Sequence, residues 1–462
     1  MWSNEELDTL VEWLEPTHHS FTYSYPPLYV VRDHGAPGGV AAMAPSIWPD
    51  LSLYLHLPYC RMNCNFCSLH RELVTADSPV AAYVSALARE IAVMADWSQG
   101  ATVTSLYFGG GTPSMLAAAT LEMLLDHVQE HFQLHQDSFE FTLECAPDPK
   151  RSAVDWHEYF LRLTDRPQAR LSRVSLGLQS WDPSVLTRMG RTAGRQAALD
   201  LLEAVDTTVA TYNVDFIAGY PMHDGQDFQW EIDHILQGVT ALHEHGLRLP
   251  SVSVYQLWDI GNLPSTKARF HLLPRAQEIA RGLWNLQAGM YALGYTMGAA
   301  ATFVRAEDHL HRWTKHRLQQ FRHLGLGSGA YSLLPDAHVI RDRDIQRYID
   351  VSTQGNLADI DRQLNRGYLL TAADREIRRI ITGLRTPDPV DPPDPSAFTG
   401  ADHDLLDELT EKLTHLKAIG TVQAHADRYR LSDRSFFLTN AVSSYLHPVR
   451  VPRLEHSAIA AQ

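Results

Sequence analysis

Cysteine is scarce in this sequence. Its 462 residues include only four cysteines, and three of them, Cys60, Cys64 and Cys67, lie on one short segment. Thiols this few and this local cannot form the disulfide framework that staples small secreted domains. We therefore expect a protein of a reducing compartment, in which the clustered thiols bind metal.

Basic residues and long apolar runs are also limited. Asp and Glu outnumber Lys and Arg by 54 to 39, a formal net charge of −15, and such a surface repels phosphate backbones, which excludes nucleic acid as the main partner. No apolar run approaches the about 18 residues of a membrane span. The first ten residues, MWSNEELDTL, lack the basic start and apolar core of a signal peptide. We expect a soluble, cytoplasmic protein without a membrane partner.

What remains is an ordinary globular composition, with 45% apolar and 20% charged residues. At about 150 residues per domain, the length corresponds to roughly three domains. We predict an N-terminal extension over residues 1–50, a central domain over 51–345 and a C-terminal module over 346–462. In the last part, helix patterns at 402–418 and 434–446 flank a short strand pair that ends near Leu431. This order predicts a helical, winged-helix-like module.

The central domain alternates between strand and helix patterns. Helical periodicity appears between strands, most clearly at 79–95, 117–132, 194–206 and 228–243. Such alternation predicts parallel strands covered by helices, and six strands are too few for a closed eight-stranded barrel. We therefore predict an α/β fold with an open, partial (β/α)6 barrel. The six predicted strands are 52–57, 103–108, 139–144, 173–179, 212–217 and 251–257.

Unusual residues follow these strands at their carboxyl ends, where parallel barrels place their chemistry. The cysteine run follows the first strand, and Gly109–Gly111 follow the second. Glu144 ends the third strand, Gln179 ends the fourth, and Asp215 lies in the fifth. Their convergence predicts one site at this edge of the barrel.

Cys60, Cys64 and Cys67 form a C-x3-C-x2-C run. Three thiolates on one loop match three irons of a [4Fe–4S] cube and leave the fourth iron open for chemistry. A zinc site completed by His56 or His70 is the alternative that the residues leave open. Cys145 stands apart in the sequence, and we interpret it as a buried bystander.

Together with its flanking segments, this run resembles the HemN-like branch of the radical S-adenosylmethionine (SAM) enzymes, the oxygen-independent coproporphyrinogen III oxidase-like proteins. The aromatic Phe66 before the last cysteine belongs to the pattern. The resemblance covers about residues 50–335 and implies a radical SAM partial barrel. Its other motifs are LYLHLPYC (53–60), YFGGGTPS (107–114), SLGLQS (175–180) and NVDFIAGYP (213–221).

The resemblance also implies roles for individual residues. Cys60, Cys64 and Cys67 would hold the [4Fe–4S] cluster, whose open iron binds the methionine end of SAM. The further cofactor-binding residues that the resemblance implies are Tyr54, Phe66, Gly109, Gly110, Gly111, Thr112, Glu144, Gln179, Arg191, Asp215 and Gly327. The alternatives are purely structural roles: a plain turn at the glycines, rim carboxylates at Glu144 and Asp215, and a tight turn at Gly327.

Substrate contacts are less well marked. Tyr255, Gln256 and Trp258 end the sixth strand, and Arg305 lies in a further strand-like segment. We predict that Tyr54, Tyr255 and Arg305 take part in catalysis, with packing roles as the alternative for the last two.

Among HemN-like proteins, we expect a class C radical SAM methyltransferase. Such enzymes bind two SAM molecules and transfer a one-carbon unit to an sp2 carbon of an aromatic or heteroaromatic substrate, giving a methyl group or a cyclopropane. The substrate is expected to be a small molecule, or to be attached to a peptide or carrier protein. A reducing partner such as flavodoxin or ferredoxin is also implied.

Three other activities remain open within the resemblance. Coproporphyrinogen III dehydrogenases carry a further cysteine two residues after the third, where this chain has Leu69. Haem chaperones carry a His-Asn-x-x-Tyr-Trp stretch, of which 316–321 (HRLQQF) keeps only the histidine. Radical opening of haem by relatives of these proteins is the third alternative.

Overall fold

The computed structural model describes residues 6–7, 25–27, 30–32, 35–38, 50–98, 101–220, 227–257, 274–299, 301–306 and 312–448. Six parallel strands form its centre. They are β1 Asp50–Leu57, β2 Thr102–Gly110, β3 Glu140–Cys145, β4 Arg173–Gln179, β5 Thr211–Ala218 and β6 Ser251–Gln256. The helices around and between them are α1 Val80–Ser98, α2 Ala118–His131, α3 Ala153–Thr164, α4 Pro183–Arg188, α5 Arg195–Thr208, α6 Phe228–Glu244 and α7 Ala276–Ala292.

Strict alternation along the strands explains this arrangement. In β1, Leu51, Leu53, Leu55 and Leu57 belong to the large hydrophobic core, because every second side chain of a strand points to the same face. The intervening residues of β1 and β2 meet on the other face, where Ser52 Oγ lies 2.6 Å from Ser105 Oγ. Each strand thus packs an apolar face under the helices and leaves a polar face inside the curved sheet.

The sheet extends beyond the six strands at both edges. Next to β1, strand β9 (His323–Leu326) pairs in parallel, with Leu324 opposite Leu53. Antiparallel strands β10 (Tyr331–Leu333), β11 (Ala337–Arg341) and β12 (Asn365–Leu369) follow. At the other edge, β8 (Thr302–Val304) pairs antiparallel with β6, and β7 (Thr296–Ala299) pairs with β8. The predicted α/β fold with a mainly parallel sheet is confirmed. Its parallel part also includes β9 and the short strand Gln133–Leu134, which pairs with β2.

The C-terminal segment has the predicted helix–hairpin–helix order. Helices α8 (Ile345–Gln354), α9 (Leu357–Leu364) and α10 (Ala372–Gly383) precede α11 (His403–Ala418). The hairpin of β13 (Val422–His425) and β14 (Arg428–Leu431) then leads to α12 (Thr439–Leu446). Helix α12 begins later than predicted, because Phe436–Leu438 forms a 3-10 turn.

The sheet continues past residue 345 to β12. The division of the chain into three parts therefore stays a prediction. Within the described ranges, no helix is both long and apolar enough to cross a membrane.

Candidate active site

The cysteine loop begins where β1 ends, and backbone bonds attach it to the turn after β2. The amides of Gly111 and Thr112 each lie 2.8 Å from a carbonyl oxygen, that of Leu57 and that of Tyr59 respectively. Arg71 closes the loop from the other side, since its guanidinium donates to the carbonyls of Cys67 at 2.7 Å and Cys64 at 2.9 Å. These bonds fix the loop at the carboxyl edge of the barrel, as the sequence predicts.

The three loop cysteines are free thiols. Cys60 and Cys64 are buried, and Cys67 is half-buried. Burial raises the pKa of both Cys60 and Cys67, while the positive charge of Arg71 acts in the opposite direction. A bound metal cluster would supply the positive charge that favours their thiolate forms.

The spacing of the loop argues against a single zinc ion. Within the described ranges, only one group of His, Cys, Asp or Glu side chains has three ligand atoms that all lie within 4.8 Å of one another, and it is on helix α2. The sulfur atoms of the three loop cysteines are therefore not all within 4.8 Å of one another. A zinc ion with bonds of about 2.3 Å to sulfur draws its ligand atoms closer than that. The wider loop fits a cluster better than the zinc alternative.

Cys145 lies on the apolar face of β3, in the hydrophobic core with Phe141 and Leu143. Burial raises the pKa of its thiol to about 12. Because strand residues alternate, this thiol points away from the face that carries Glu144. Its position agrees with a bystander role.

The turn after β2 accepts only glycine. Gly110 has a φ of +111°, and a Cβ there would lie 2.7 Å from the ring of His56. A Cβ on Gly111 would lie 2.5 Å from the carbonyl oxygen of Tyr59. A ligand can therefore approach the backbone closely here, where other residues would present side chains.

Glu144 reaches this turn from β3. One carboxylate oxygen accepts from the Tyr107 hydroxyl at 2.8 Å, and the other accepts from the Gly110 amide at 3.0 Å. Burial raises the pKa of Glu144 to about 7, and the nearby Asp215 contributes in the same direction. Among the described residues, no basic side chain forms an ion pair with Glu144. A buried carboxylate in this state fits a cationic ligand such as the ammonium group of SAM.

Asp215 lies on the same inner face. Its carboxylate accepts from Asn213 at 2.6 Å and from Ser175 at 3.1 Å. Burial raises its pKa to about 6, against the effect of these hydrogen bonds. Two partly protonated carboxyl groups, Glu144 and Asp215, therefore share the interior.

Phe66, Gln179 and Arg191 meet at the end of β4. Gln179 has a φ of +74°, a backbone state that residues with a Cβ rarely adopt, and such states often mark functional sites. Arg191 donates to the Gly177 carbonyl at 2.6 Å, and its guanidinium lies 5.9 Å from the Phe66 ring centroid. The structure thus brings three of the predicted cofactor residues together beside the cysteine loop.

Tyr54 belongs to an aromatic group inside the barrel that the sequence did not reveal. Its ring stacks on Tyr107 with centroids 5.7 Å apart. The Tyr54 hydroxyl lies 3.2 Å from His56 Nδ1, and His56 Nε2 lies 2.9 Å from the carbonyl oxygen of His70. A carbonyl only accepts, so Nε2 carries the proton and Nδ1 accepts from Tyr54. The other rings near Tyr54 are Trp313, His323 and Tyr331.

Gly327 packs against the carboxyl end of β1. Its φ is +98°, and a Cβ there would lie 2.6 Å from the carbonyl oxygen of His56. Its amide donates to Glu90 at 2.9 Å, and Glu90 forms a buried ion pair with Arg341. This packing matches the tight-turn alternative better than contact with a cofactor.

Arg305 does not reach the site. Its amide donates to the carbonyl of Pro250, just before β6 begins, and its guanidinium lies 3.0 Å from His243 Nε2. Because β8 runs antiparallel to β6, the end of β8 lies at the amino edge of the barrel. Tyr255, 42% exposed, and Gln256 do lie at the carboxyl edge, whereas Trp258 is outside the described residues.

Tyr220 is a contact of the cysteine loop that the sequence analysis missed. Its hydroxyl lies 2.8 Å from Asn65 Oδ1 and 2.7 Å from the Arg188 carbonyl oxygen. The carboxylate of Glu231 in α6 accepts from the amides of Gly219 and Tyr220. The turn after β5 is thereby held against the loop.

Comparisons with known proteins agree with this geometry. The radical SAM superfamily profile matches residues 54–235. The haem chaperone HemW of Escherichia coli is 26% identical over 356 residues, covering 73% of this chain and 87% of HemW. The oxygen-independent coproporphyrinogen III oxidase of Bradyrhizobium diazoefficiens is 28% identical over 409 residues, covering 85% of this chain and 86% of the relative.

A solved structure shares the fold over nearly the whole chain. Coproporphyrinogen III oxidase (HemN) from Escherichia coli, described as a radical SAM enzyme, superposes with a TM-score of 0.75 at 22% identity. The superposition covers 96% of this chain and 98% of HemN.

These findings correct one expectation. The class C methyltransferase assignment is wrong, because the relatives that match over most of their length are named coproporphyrinogen III oxidases and haem chaperones. Leu69, in place of the further cysteine of the coproporphyrinogen III dehydrogenases, is therefore no evidence for methyl transfer.

The cofactor prediction is confirmed, because a [4Fe–4S] cluster and SAM are the cofactors of the matched superfamily. Its enzymes also need a reductant. By its cysteine loop, its fold and its relatives, the chain is similar to the HemN-like branch of the radical SAM superfamily.

Proposed function

We propose that this chain is a radical SAM enzyme that removes a hydrogen atom from a propionate side chain of a tetrapyrrole. The observation that carries the proposal is the meeting of the cysteine loop, the glycine turn and the Glu144 carboxylate at one edge of the barrel. The names of the relatives supply the substrate class.

Cys60, Cys64 and Cys67 would hold the cluster. When bound, the reduced cluster supplies the electron that cleaves SAM into methionine and a 5′-deoxyadenosyl radical, which removes hydrogen from the substrate. The protein itself would keep the cysteine loop rigid and exclude water from the site. Arg71 does the first by holding two loop carbonyls.

Glu144 would bind the SAM ammonium group. Its two hydrogen bonds already orient both carboxylate oxygens, so a cation arriving at the glycine turn finds an acceptor in place. A charge-assisted hydrogen bond between the ionised carboxylate and the ammonium group favours binding. Asp215, Gln179 and Arg191 offer further polar contacts to the rest of SAM.

The side chain of Tyr54, on β1, would face SAM and the substrate. Its hydroxyl proton is committed to His56, so its oxygen keeps a lone pair for an incoming donor. The neighbouring rings of Tyr107 and Trp313 make this part of the interior apolar and aromatic. Such walls suit contact with the pyrrole rings of a tetrapyrrole.

Haem binding is the second candidate, favoured by one specific residue. Leu69 stands where coproporphyrinogen III dehydrogenases carry a further cysteine, and its side chain is half exposed beside the loop. An apolar residue at the mouth of the site suits contact with a macrocycle that is carried rather than converted. HemW, named a haem chaperone, covers most of the chain.

One anaerobic experiment separates the two candidates. The reconstituted protein is incubated with SAM, dithionite and either coproporphyrinogen III or haem, and 5′-deoxyadenosine and the macrocycle mass are measured. The proposal expects 5′-deoxyadenosine formation that depends on the porphyrinogen. Stoichiometric haem binding with only background 5′-deoxyadenosine would support the second candidate instead.

The physiological electron donor is part of the proposal. A flavodoxin or a ferredoxin is the expected class, because the chemistry needs single electrons at low potential. Replacement of dithionite by either protein, with its reductase, should sustain 5′-deoxyadenosine formation.

A further inference from the structure

Helix α2 carries a second group of metal-ligating side chains. His127, Glu130 and His131 each offer one ligand atom, and these atoms all lie within 4.8 Å of one another. The three residues are spaced i, i+3 and i+4 along the helix, so their side chains share one face. Within the described ranges, no other His, Cys, Asp or Glu group has this spacing.

The two imidazoles are already arranged side by side. The rings of His127 and His131 are nearly parallel, at an interplanar angle of 3°, with centroids 6.2 Å apart. The Nδ1 atom of His127 is buried and has no hydrogen-bond partner within the described ranges. Glu130 and His131 are exposed, so water can fill the remaining coordination positions.

The position of the group separates it from the cysteine loop. Helix α2 ends at His131, and the segment Gln133–Leu134 that follows pairs with the beginning of β2. The group therefore lies at the amino edge of the barrel, whereas the cysteines lie at the carboxyl edge. The negative end of the helix dipole at this terminus also favours a cation.

We propose that His127, Glu130 and His131 bind one divalent transition-metal ion, with zinc as the best match. Two imidazoles one helical turn apart form the histidine pair of helical zinc sites, and a carboxylate with a water completes a four-coordinate shell. Magnesium and calcium prefer shells made of oxygen only. The bound ion links consecutive turns of α2 and stabilises its last part without entering the radical reaction.

The test is a zinc titration of the reconstituted enzyme by calorimetry, with zinc and iron counted by mass spectrometry after gel filtration. One zinc per chain is expected in addition to the iron of the cluster. The variants His127→Ala and His131→Ala should each lower zinc affinity by about tenfold or more, with unchanged iron content. Zinc should also raise the melting temperature of the wild type, as a ligand specific for the native state does.

His135→Ala is the matched control. His135 lies just beyond the helix and bonds to Ser138 at 2.9 Å through Nδ1, outside the proposed group, so this variant should bind zinc like the wild type. Absence of zinc binding in the wild type would overturn the proposal. Equal zinc affinity in the double variant His127→Ala/His131→Ala would also overturn it, because the ion would then bind elsewhere.

Discussion

Tyr107 and Glu144, on neighbouring strands, share a hydrogen bond of 2.8 Å between the tyrosine hydroxyl and the carboxylate. The other carboxylate oxygen accepts from the Gly110 amide. This pair connects the barrel interior, where Tyr107 stacks on Tyr54, to the glycine turn beside the cysteine loop. On this arrangement we base the proposal that Glu144 binds the SAM ammonium group.

We predict that Glu144→Gln weakens SAM binding by at least about thirtyfold, or about 2 kcal/mol, because a buried ammonium loses its charged partner. The amide keeps the size of the side chain, so the fold should persist. Equilibrium binding of SAM to the reconstituted protein measures the effect. Glu140→Gln is the matched control on the same strand, since Glu140 lies at the amino end of β3 and bonds to the Arg312 amide. Equal SAM affinity in wild type and Glu144→Gln would remove this role.

SAM affinity should also depend on pH through Glu144. Its raised pKa of about 7 means that most of the carboxyl group is protonated at pH 6 and ionised at pH 8. The ionised form binds the ammonium, so SAM binding should tighten by up to about tenfold over this range, relative to Glu144→Gln at each pH. The titratable groups coupled to it are Tyr54, Tyr107, Asp215, Cys67 and Cys145. A pH profile shared by wild type and variant would contradict the prediction.

The same shift has the opposite sign for stability. A folded-state pKa above the usual value of a glutamate means that the native protein holds this proton more tightly than the unfolded chain. The contribution of Glu144 to the free energy of unfolding is therefore full below about pH 4.5 and falls as pH rises to about 7. Bound SAM, by pairing with the carboxylate, should reduce this loss.

Loss of the cluster should depend on which cysteine is replaced. Alanine at Cys60, Cys64 or Cys67 is expected to remove most of the iron and sulfide, because each thiolate would hold one iron of the cube. Cys145→Ala should keep the full content, since that thiol lies in the core on the other face of β3. Iron and sulfide analysis after anaerobic reconstitution decides between them. Full iron content in Cys64→Ala would show that the loop does not hold the cluster.

Tyr220 should stabilise the cluster indirectly, through its contact with the cysteine loop. Tyr220→Phe keeps the ring in its apolar cluster with Val185 and Met189 and removes only the hydroxyl that contacts Asn65. A lost hydrogen bond of about 1 kcal/mol predicts roughly fivefold faster loss of iron to a chelator. Tyr212→Phe is the control, because its hydroxyl bonds to Asp206 near the amino end of β5. Identical rates for Tyr220→Phe and wild type would argue against the contact.

The six central strands and the loop were predictable because their signals are local. Each strand carries a two-residue alternation, and the cysteine spacing is complete within one loop. Helix α3 carries a comparable local signal, since Trp156, Tyr159, Phe160 and Leu163 are buried at helical spacing. Its start is marked by the capping box of Ser152 and Asp155.

Long-range pairing explains what could not be predicted. The parallel contact of β9 with β1 joins His323 to Ser52 across most of the chain, and no local pattern encodes such a partner. This pairing brings His323 and Tyr331 to Tyr54. Arg305 was misplaced for a related reason, because only the antiparallel direction of β8 decides which edge of the barrel it reaches.

Isotope transfer tests the central claim most directly. Coproporphyrinogen III deuterated on its propionate side chains is incubated anaerobically with the reduced, reconstituted protein and SAM, and the mass of 5′-deoxyadenosine is measured. The proposed hydrogen abstraction predicts deuterium in 5′-deoxyadenosine, and predicts none in Cys64→Ala. Turnover of the porphyrinogen with unlabelled 5′-deoxyadenosine, or tight haem binding without any macrocycle-dependent 5′-deoxyadenosine, would contradict it.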